Sequence, residues 1–142
     1  MLAPEDIIGS WRLVSYEIRH PDGRISLPMG ERPEGLLLYT ADGGMSGQLA
    51  RGDREPFRAD HLRGGSVEEK SAAADSFLSY GGRWRIEGDE VVHDVAISLY
   101  PNWVGAEQRR SARVLDGRLV LTTPAMPRAE GFLSAHLVWR RP

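Results

Sequence analysis

The chain has 142 residues, no cysteine, 16 glycines, 9 prolines and a formal net charge of −2. This length fits one domain that buries roughly 68–70% of its unfolded surface, which is enough for a core without disulfides. The absence of cysteine excludes disulfides, a thiolate nucleophile, an iron–sulfur cluster and a cysteine zinc site. The near-neutral charge offers no broad attraction for nucleic acid or an anionic membrane.

The N-terminal residues show no secretion signal, since a basic stretch followed by an apolar one is missing there. No apolar run approaches the ~18 residues of a membrane-spanning helix. We therefore expect a cytoplasmic protein without a membrane partner. Neither a repeat nor a linker interrupts the chain, which predicts a single domain over residues 1–142.

Short runs of alternating apolar and polar residues, separated by glycine, proline and aspartate, dominate the chain. This pattern is typical of antiparallel sheet. Glycine-containing turns at residues 40–44, 88–89 and 116–117 predict three hairpins. The alternation changes phase near Leu13 and Val14, which predicts a bulge in the first strand. In chain order, the predicted strands cover residues 10–19, 35–40, 44–51, 83–87, 90–99, 108–115, 118–123 and 133–140.

One segment has the pattern of a helix. Ser66 and Glu69 form a capping box, in which each side chain bonds to the other residue's backbone amide. Alanines, Phe77 and Leu78 follow, and Gly81-Gly82 predicts the stop. The helix therefore lies between the third and fourth predicted strands.

Eight antiparallel strands bury their apolar faces either as two packed sheets or as a closed barrel. Sequential hairpins without an obvious Greek-key crossover favour the barrel. We therefore predict an all-β, up-and-down antiparallel β-barrel of about eight strands with one short helix between early strands. Such a barrel is either filled by side chains or holds one small ligand.

Several segments carry a family resemblance. Gly9-Ser10-Trp11 matches the Gly-x-Trp signature of lipocalins, in which the Trp closes one end of the barrel, and Arg140 or Arg141 is placed to pack on its ring. Together with three further segments, this signature resembles the bacterial and fungal lipocalin-like domain family over nearly the whole chain. These segments are Tyr-Thr-Ala-Asp-Gly-Gly-Met-Ser (39–46), Leu-Ser-Tyr-Gly-Gly-Arg-Trp (78–84) and Ser-Leu-Tyr-Pro-Asn-Trp-Val-Gly (98–105).

The resemblance implies a lipocalin-like β-barrel with an internal cavity, and some members of the family accompany natural-product biosynthetic genes. The chain departs from classical lipocalins in its helix position and in lacking their disulfide and secretion signal. Extracellular transport in their manner is therefore not expected.

His93 and Arg110 are the candidate catalytic or orienting residues. Strand alternation puts His93 on an apolar face with Val91, Val95 and Ile97, where it would offer a ligand a hydrogen bond or act as a general base. Arg110 shares a face with Ala112 and would bind a carboxylate, enolate or phenolate. The alternatives are a histidine satisfied by internal hydrogen bonds, and an arginine that is exposed or paired with an acidic residue.

Eight apolar residues are candidates for the wall of the cavity, and core filling is the alternative for each. The segment from Ser98 to Gly105 holds two of the aromatic ones and would form the rim or lid. The eight candidates are Leu38, Met45, Leu49, Trp84, Val95, Ile97, Tyr100 and Trp103.

Other chemistries lack their motifs. The four histidines have no metal-ligand spacing, and neither a nucleophile elbow nor a phosphate-binding loop is present. We therefore predict no metal and no cofactor.

Three functions follow as hypotheses. The first is a binding module that holds one small, mostly apolar molecule. The second is a cofactor-independent cyclase, isomerase or dehydratase acting on a polyketide-like metabolite, with His93 moving a proton and Arg110 stabilising negative charge. The third is a filled barrel that contacts protein, including a second copy of the chain as a homodimer.

Overall fold

The computed structural model describes residues 1–124, 126–128 and 131–142. Two helices, α1 (Pro4–Ile7) and α2 (Val67–Asp75), and a 3₁₀ turn at Pro101–Trp103 accompany the sheet. The strands are β1 (Gly9–Arg19), β2 (Ile25–Ser26), β3 (Pro33–Tyr39), β4 (Gly44–Arg51), β5 (Phe77–Glu87), β6 (Glu90–Ser98), β7 (Glu107–Leu115), β8 (Arg118–Thr122), β9 (Met126–Arg128) and β10 (Gly131–Arg140).

The strands form one closed antiparallel barrel. From β3 to β8 each strand pairs with the next, β8 pairs with β10, and β1 pairs with both β3 and β10. Eight strands therefore close the barrel, while the short strands β2 and β9 add to its margins beside β1 and β10. The predicted up-and-down barrel with a short helix between early strands is confirmed. No helix among the described residues is long and apolar enough to cross a membrane.

Two irregularities change which side chains face inward. In β1 the pairing with β10 shifts between Leu13 and Ser15, which confirms the predicted bulge. In β6 the partners of Gly81 and Gly82 are Ile97 and Val95, so one extra residue is inserted. The alternation along β6 did not predict this second bulge. Because of it, the side chains that follow lie on the opposite face of the sheet from the one expected.

Gly82 is required at the β6 bulge because the two strands approach closely there. A Cβ atom on Gly82 would lie 1.9 Å from the carbonyl oxygen of Asp94 and 2.9 Å from the amide nitrogen of Ala96. No side chain larger than hydrogen fits in that space.

Helix α2 begins as predicted and ends earlier. The Ser66 hydroxyl accepts a hydrogen bond from the Glu69 amide at 3.1 Å, and the Glu69 carboxylate accepts one from the Ser66 amide at 3.0 Å. The helix ends at Asp75, so the prediction that it continues to Gly81-Gly82 is wrong. Phe77 and the residues after it pair with β4, since sheet pairing outweighs the weak helix propensity of this stretch.

One end of the barrel is closed around Trp11. Its indole N–H donates to the Ile7 carbonyl at 2.8 Å, and the guanidinium carbon of Arg141 lies 3.8 Å from the centre of its ring. Arg141 also donates to the Ile8 carbonyl at 2.9 Å, so it is Arg141 rather than Arg140 that packs on the tryptophan. Gly9 has φ +117°, and a Cβ there would lie 2.7 Å from Arg141 Nη1.

Candidate functional site

A cavity of about 100 Å³ lies inside the barrel and is lined from all eight of its strands. Ligand pockets commonly measure about 300–1,000 Å³, so this cavity is small. Its wall is mainly apolar with a few polar groups. The lining residues are Tyr16, Leu37, Met45, Gly47, Gln48, Leu49, Leu78, Tyr80, His93, Trp103, Arg110, Leu121, Thr123, Ala135, Leu137 and Trp139.

His93 joins two tyrosines at the wall of the cavity. Its Nε2 lies 2.7 Å from the Tyr39 hydroxyl, and its Nδ1 lies 2.6 Å from the Tyr80 hydroxyl. The histidine is 2% exposed. Burial, and secondarily the positive charge of Arg110, lowers the pKa of His93 to about 3. The ring is therefore neutral near pH 7, and both of its nitrogens are hydrogen-bonded.

Arg110 brings a positive charge to the same wall. It faces inward from β7, where its partner across β6 is Val91, two residues before His93. Its guanidinium donates to the Arg109 carbonyl at 2.8 Å and to the Gln108 side-chain oxygen at 3.3 Å. Among the described residues no carboxylate forms an ion pair with it.

Tyr16 and Tyr80, which line the cavity, and Tyr39, which is bonded to His93, are held in the neutral form. Burial raises the pKa of Tyr16 and Tyr80, and in both cases the charge of Arg110 opposes part of that rise. Burial raises the pKa of Tyr39 well above its usual range. All three hydroxyls therefore carry their protons at neutral pH and are hydrogen-bond donors.

Aromatic rings cover one side of the cavity. The ring of Trp103 meets Tyr80 edge-on at 5.7 Å and Tyr100 edge-on at 5.6 Å. Tyr100 is exposed, so it packs on Trp103 from outside and does not line the cavity. Trp103, by contrast, is half-buried on a turn of three residues and touches the Tyr80 ring from the cavity side.

The structure brings together five of the predicted site residues around the cavity, namely Met45, Leu49, His93, Trp103 and Arg110. Two others lie outside the lining of the cavity. Trp84 meets the Tyr39 ring edge-on at 5.2 Å and donates its N–H to the Thr40 carbonyl. Val95 is buried, but it does not line the cavity.

The predicted positions of three residues in the cavity are wrong. Leu38 is 41% exposed because its neighbours Leu37 and Tyr39 take the inner face of β3. The run of three leucines there gave no polar residue to mark the outer face. Ile97 is 73% exposed because the bulge before it turns its side chain outward. Like Tyr100, neither residue lines the cavity.

Sequence reasoning missed the tyrosines that complete the site. Tyr80 was assigned to the end of the helix, although Leu78, Tyr80 and Trp84 follow the period of two that indicates a strand. The polar indole N–H of Trp139 was also missed. Its indole nitrogen is the buried side-chain polar atom that has no hydrogen-bond partner within the described part of the chain, and its side chain lines the cavity.

No group of three or more histidine, aspartate or glutamate side chains among the described residues is arranged to hold a metal ion. The polar groups of the cavity are hydroxyls, an indole, a side-chain amide and a guanidinium, which suit an organic ligand with oxygen atoms.

The model of a lipocalin-like domain family matches residues 8–142. The 4′-hydroxy-3′-methoxypropiophenone carrier protein of Aspergillus oryzae is 30% identical over 87 residues, which cover 56% of this chain and 78% of that protein.

Two solved structures resemble this one over most of their length. A lipocalin-like protein from Bacteroides uniformis has a TM-score of 0.50 at 14% identity and covers 96% of this chain and 99% of its own. An uncharacterized protein from Bacteroides eggerthii has a TM-score of 0.46 at 13% identity, with 94% and 98% covered. The first likeness shows a shared fold.

Proposed function

The chain belongs to the lipocalin-like domain family, and we propose that it binds one small, mostly apolar organic molecule inside its barrel. The observation that carries this proposal is the half-buried Arg110, which lines the cavity without an ion-pair partner among the described residues. A partly buried cation without a counter-charge destabilises a fold, and an oxygen atom of a ligand would supply its partner.

The named relative supports the same class of ligand. Its name describes the carrier of an aromatic ketone with a phenolic hydroxyl, which is mostly apolar and has several oxygen atoms. A compound of this type matches a cavity whose mainly apolar wall carries hydroxyls, an imidazole, a side-chain amide, an indole and a guanidinium. It also fits a role in secondary metabolism.

A ligand of that size requires the cavity to open, because about 100 Å³ holds only a fragment of it. We assign this opening to Trp103. Its indole is half-buried on a three-residue turn and rests edge-on against Tyr80. Swinging it outward would widen the cavity, and Trp103 itself lies on a turn outside the strands.

No observation favours the cyclase, isomerase or dehydratase hypothesis. It required His93 to accept a proton from the substrate, but both ring nitrogens are bonded to tyrosine hydroxyls. A pKa of about 3 also makes His93 a weak base near pH 7.

The proposal is tested by mass spectrometry of the small molecules that the protein retains through native purification. Two identical substitutions provide the comparison. Leu49→Trp places an indole in the cavity, whereas Leu38→Trp places it on the outside of the neighbouring strand. We expect a retained molecule with the wild type and with Leu38→Trp, and its loss with Leu49→Trp.

Retention of the same molecule by all three proteins would contradict binding in the barrel. Where nothing is retained, NMR titration of Trp103→Ala with small aromatic ketones replaces the first measurement. If no resonance of a cavity residue shifts with any of them, the proposed function is wrong.

A further inference from the structure

The hydrogen bonds of His93 have a direction that the distances alone do not show. A neutral imidazole has one N–H donor and one acceptor nitrogen, so one tyrosine donates to the ring and the other accepts from it. The accepting tyrosine must send its own hydroxyl proton elsewhere. Tyr39 is 1% exposed and has no other hydrogen-bond partner among the described residues, whereas Tyr80 borders the cavity.

Burying the Tyr39 proton without an acceptor would leave a polar group unsatisfied, which is costly. The favourable arrangement is therefore that Tyr39 donates to Nε2 of His93 and Nδ1–H donates to the Tyr80 oxygen. The Tyr80 hydroxyl proton is then free to point into the cavity. His93 and Tyr39 fix the position of this donor and do not contact the ligand's oxygen themselves.

Three other side chains that line the cavity carry N–H or O–H groups. The Tyr16 hydroxyl makes no hydrogen bond to the described residues. The Trp139 indole N–H is buried without a partner in that part of the chain. Arg110 adds a positive charge, and two of its five N–H groups donate to described residues. The wall therefore offers hydrogen-bond donors from Tyr16, Tyr80 and Arg110, while the Trp139 N–H is buried behind its surface.

We infer that the cavity selects a ligand with acceptor oxygen atoms, such as carbonyl or deprotonated hydroxyl groups, and that Tyr80 recognises one of them. This inference rests on the proposed function, because it names the chemistry of the same ligand. It makes Tyr80 a specificity-determining residue, with His93 and Tyr39 as positioning residues.

The binding test compares two probes of the same shape. Cyclohexanone has a carbonyl oxygen where methylenecyclohexane has a CH₂ group. Both are titrated by NMR into the wild type and Tyr80→Phe, with Tyr100→Phe on the exposed side of Trp103 as the matched control. We expect Tyr80→Phe to weaken cyclohexanone binding by about three- to tenfold and to change methylenecyclohexane binding less than twofold. Tyr100→Phe should leave both affinities unchanged.

Equal loss of both probes in Tyr80→Phe would overturn the inference and leave the proposed function standing. If neither probe binds to the wild type or to Trp103→Ala, the proposed function fails and the inference fails with it.

A second measurement needs no ligand. The ¹⁵N chemical shifts of His93 at neutral pH report which ring nitrogen carries the proton. We expect the proton on Nδ1 in the wild type. A proton on Nε2 would place the Tyr80 hydroxyl as donor to His93 rather than to the cavity, which would overturn the inference whatever the binding data show.

Discussion

The closed end of the barrel and the cavity next to it use the same residue types in opposite ways. At the closed end, Arg141 packs on Trp11 and donates to two backbone carbonyls, and the indole N–H of that tryptophan is bonded. At the cavity, Arg110 has no carboxylate partner and the Trp139 indole N–H has none at all, within the described residues. Unsatisfied polar groups destabilise a fold, and under the proposed function a ligand in the cavity would offset that cost.

The largest expected effect comes from comparing one tryptophan at each end. Trp11→Ala removes a side chain that is 2% exposed and should lower the free energy of unfolding by about 3–5 kcal/mol. Trp103→Ala removes a half-buried ring over the cavity and should cost about 1 kcal/mol or less. Urea unfolding measures both values. A similar loss for the two variants would show that Trp103 is part of the core rather than a lid.

The next effect is a loss of stability in mild acid. Burial holds the pKa of His93 at about 3 in the folded chain, against an ordinary value of 6.5. Between these two pH values the unfolded chain binds a proton that the folded chain does not. The free energy of unfolding is therefore at its full value above pH 6.5. Below that pH it falls by about 1.4 kcal/mol per pH unit, which amounts to about 2 kcal/mol at pH 5.

Urea unfolding at pH 7 and pH 5 tests this dependence, with His93→Leu as the comparison. The variant loses two hydrogen bonds and is less stable at both pH values, but its stability should change less between them. An NMR titration of the wild type gives the same answer without a substitution. If the His93 resonances titrate near pH 6.5 in the folded protein, the ring is not buried as described.

Two adjacent arginines test the closed end. Arg141→Ala removes the contact with Trp11 and the hydrogen bonds to the carbonyls of Asp6 and Ile8. We expect a loss of about 1–2 kcal/mol in thermal or urea unfolding. Arg140→Ala removes only a bond to the carbonyl of Arg141, so it should change stability by less than about 0.5 kcal/mol. If Arg141→Ala and Arg140→Ala lose the same amount of stability, the contacts of Arg141 do not stabilise the closed end as described.

The closed end was far more predictable from sequence than the cavity. Gly9-Ser10-Trp11 matches a family signature, and the resemblance rather than any spacing along the chain supplied the C-terminal arginine that packs on Trp11. The hairpin turns and the capping box at Ser66 depend on residues only a few positions apart. Such short-range signals remain readable in a single sequence.

The lining of the cavity depends on features that the alternation of apolar and polar residues along a strand does not reveal. The bulge opposite Gly82 turns Ile97 outward, and it arises from pairing between two strands rather than from a motif within one. Tyr80 was missed because a helix was extended through the start of β5. His93 was placed correctly on an inner face, but its tyrosine partners lie 54 and 13 residues away along the chain.

The smallest expected change in stability comes from neighbouring arginines on opposite faces of β7. Arg109 lies on the outer face and pairs with Glu87, Glu90 and Glu107. Arg109→Met should lower stability by less than about 1 kcal/mol, since surface ion pairs contribute little. Arg110→Met removes a half-buried cation without a counter-charge and should leave stability unchanged or raise it by up to about 1 kcal/mol.

The two variants must also differ at His93. The charge of Arg110 helps to lower the pKa of His93, so Arg110→Met should raise that pKa, whereas Arg109→Met should not. The His93 ring resonances, followed from pH 7 downward, measure the difference. If Arg110→Met destabilises the barrel by 2 kcal/mol or more, its guanidinium is part of the folding core, and the contrast between a satisfied end and a ligand-dependent end is wrong. If Arg110→Met instead leaves stability unchanged or increased and loses cyclohexanone binding, the charge of Arg110 serves ligand binding and not the stability of the fold.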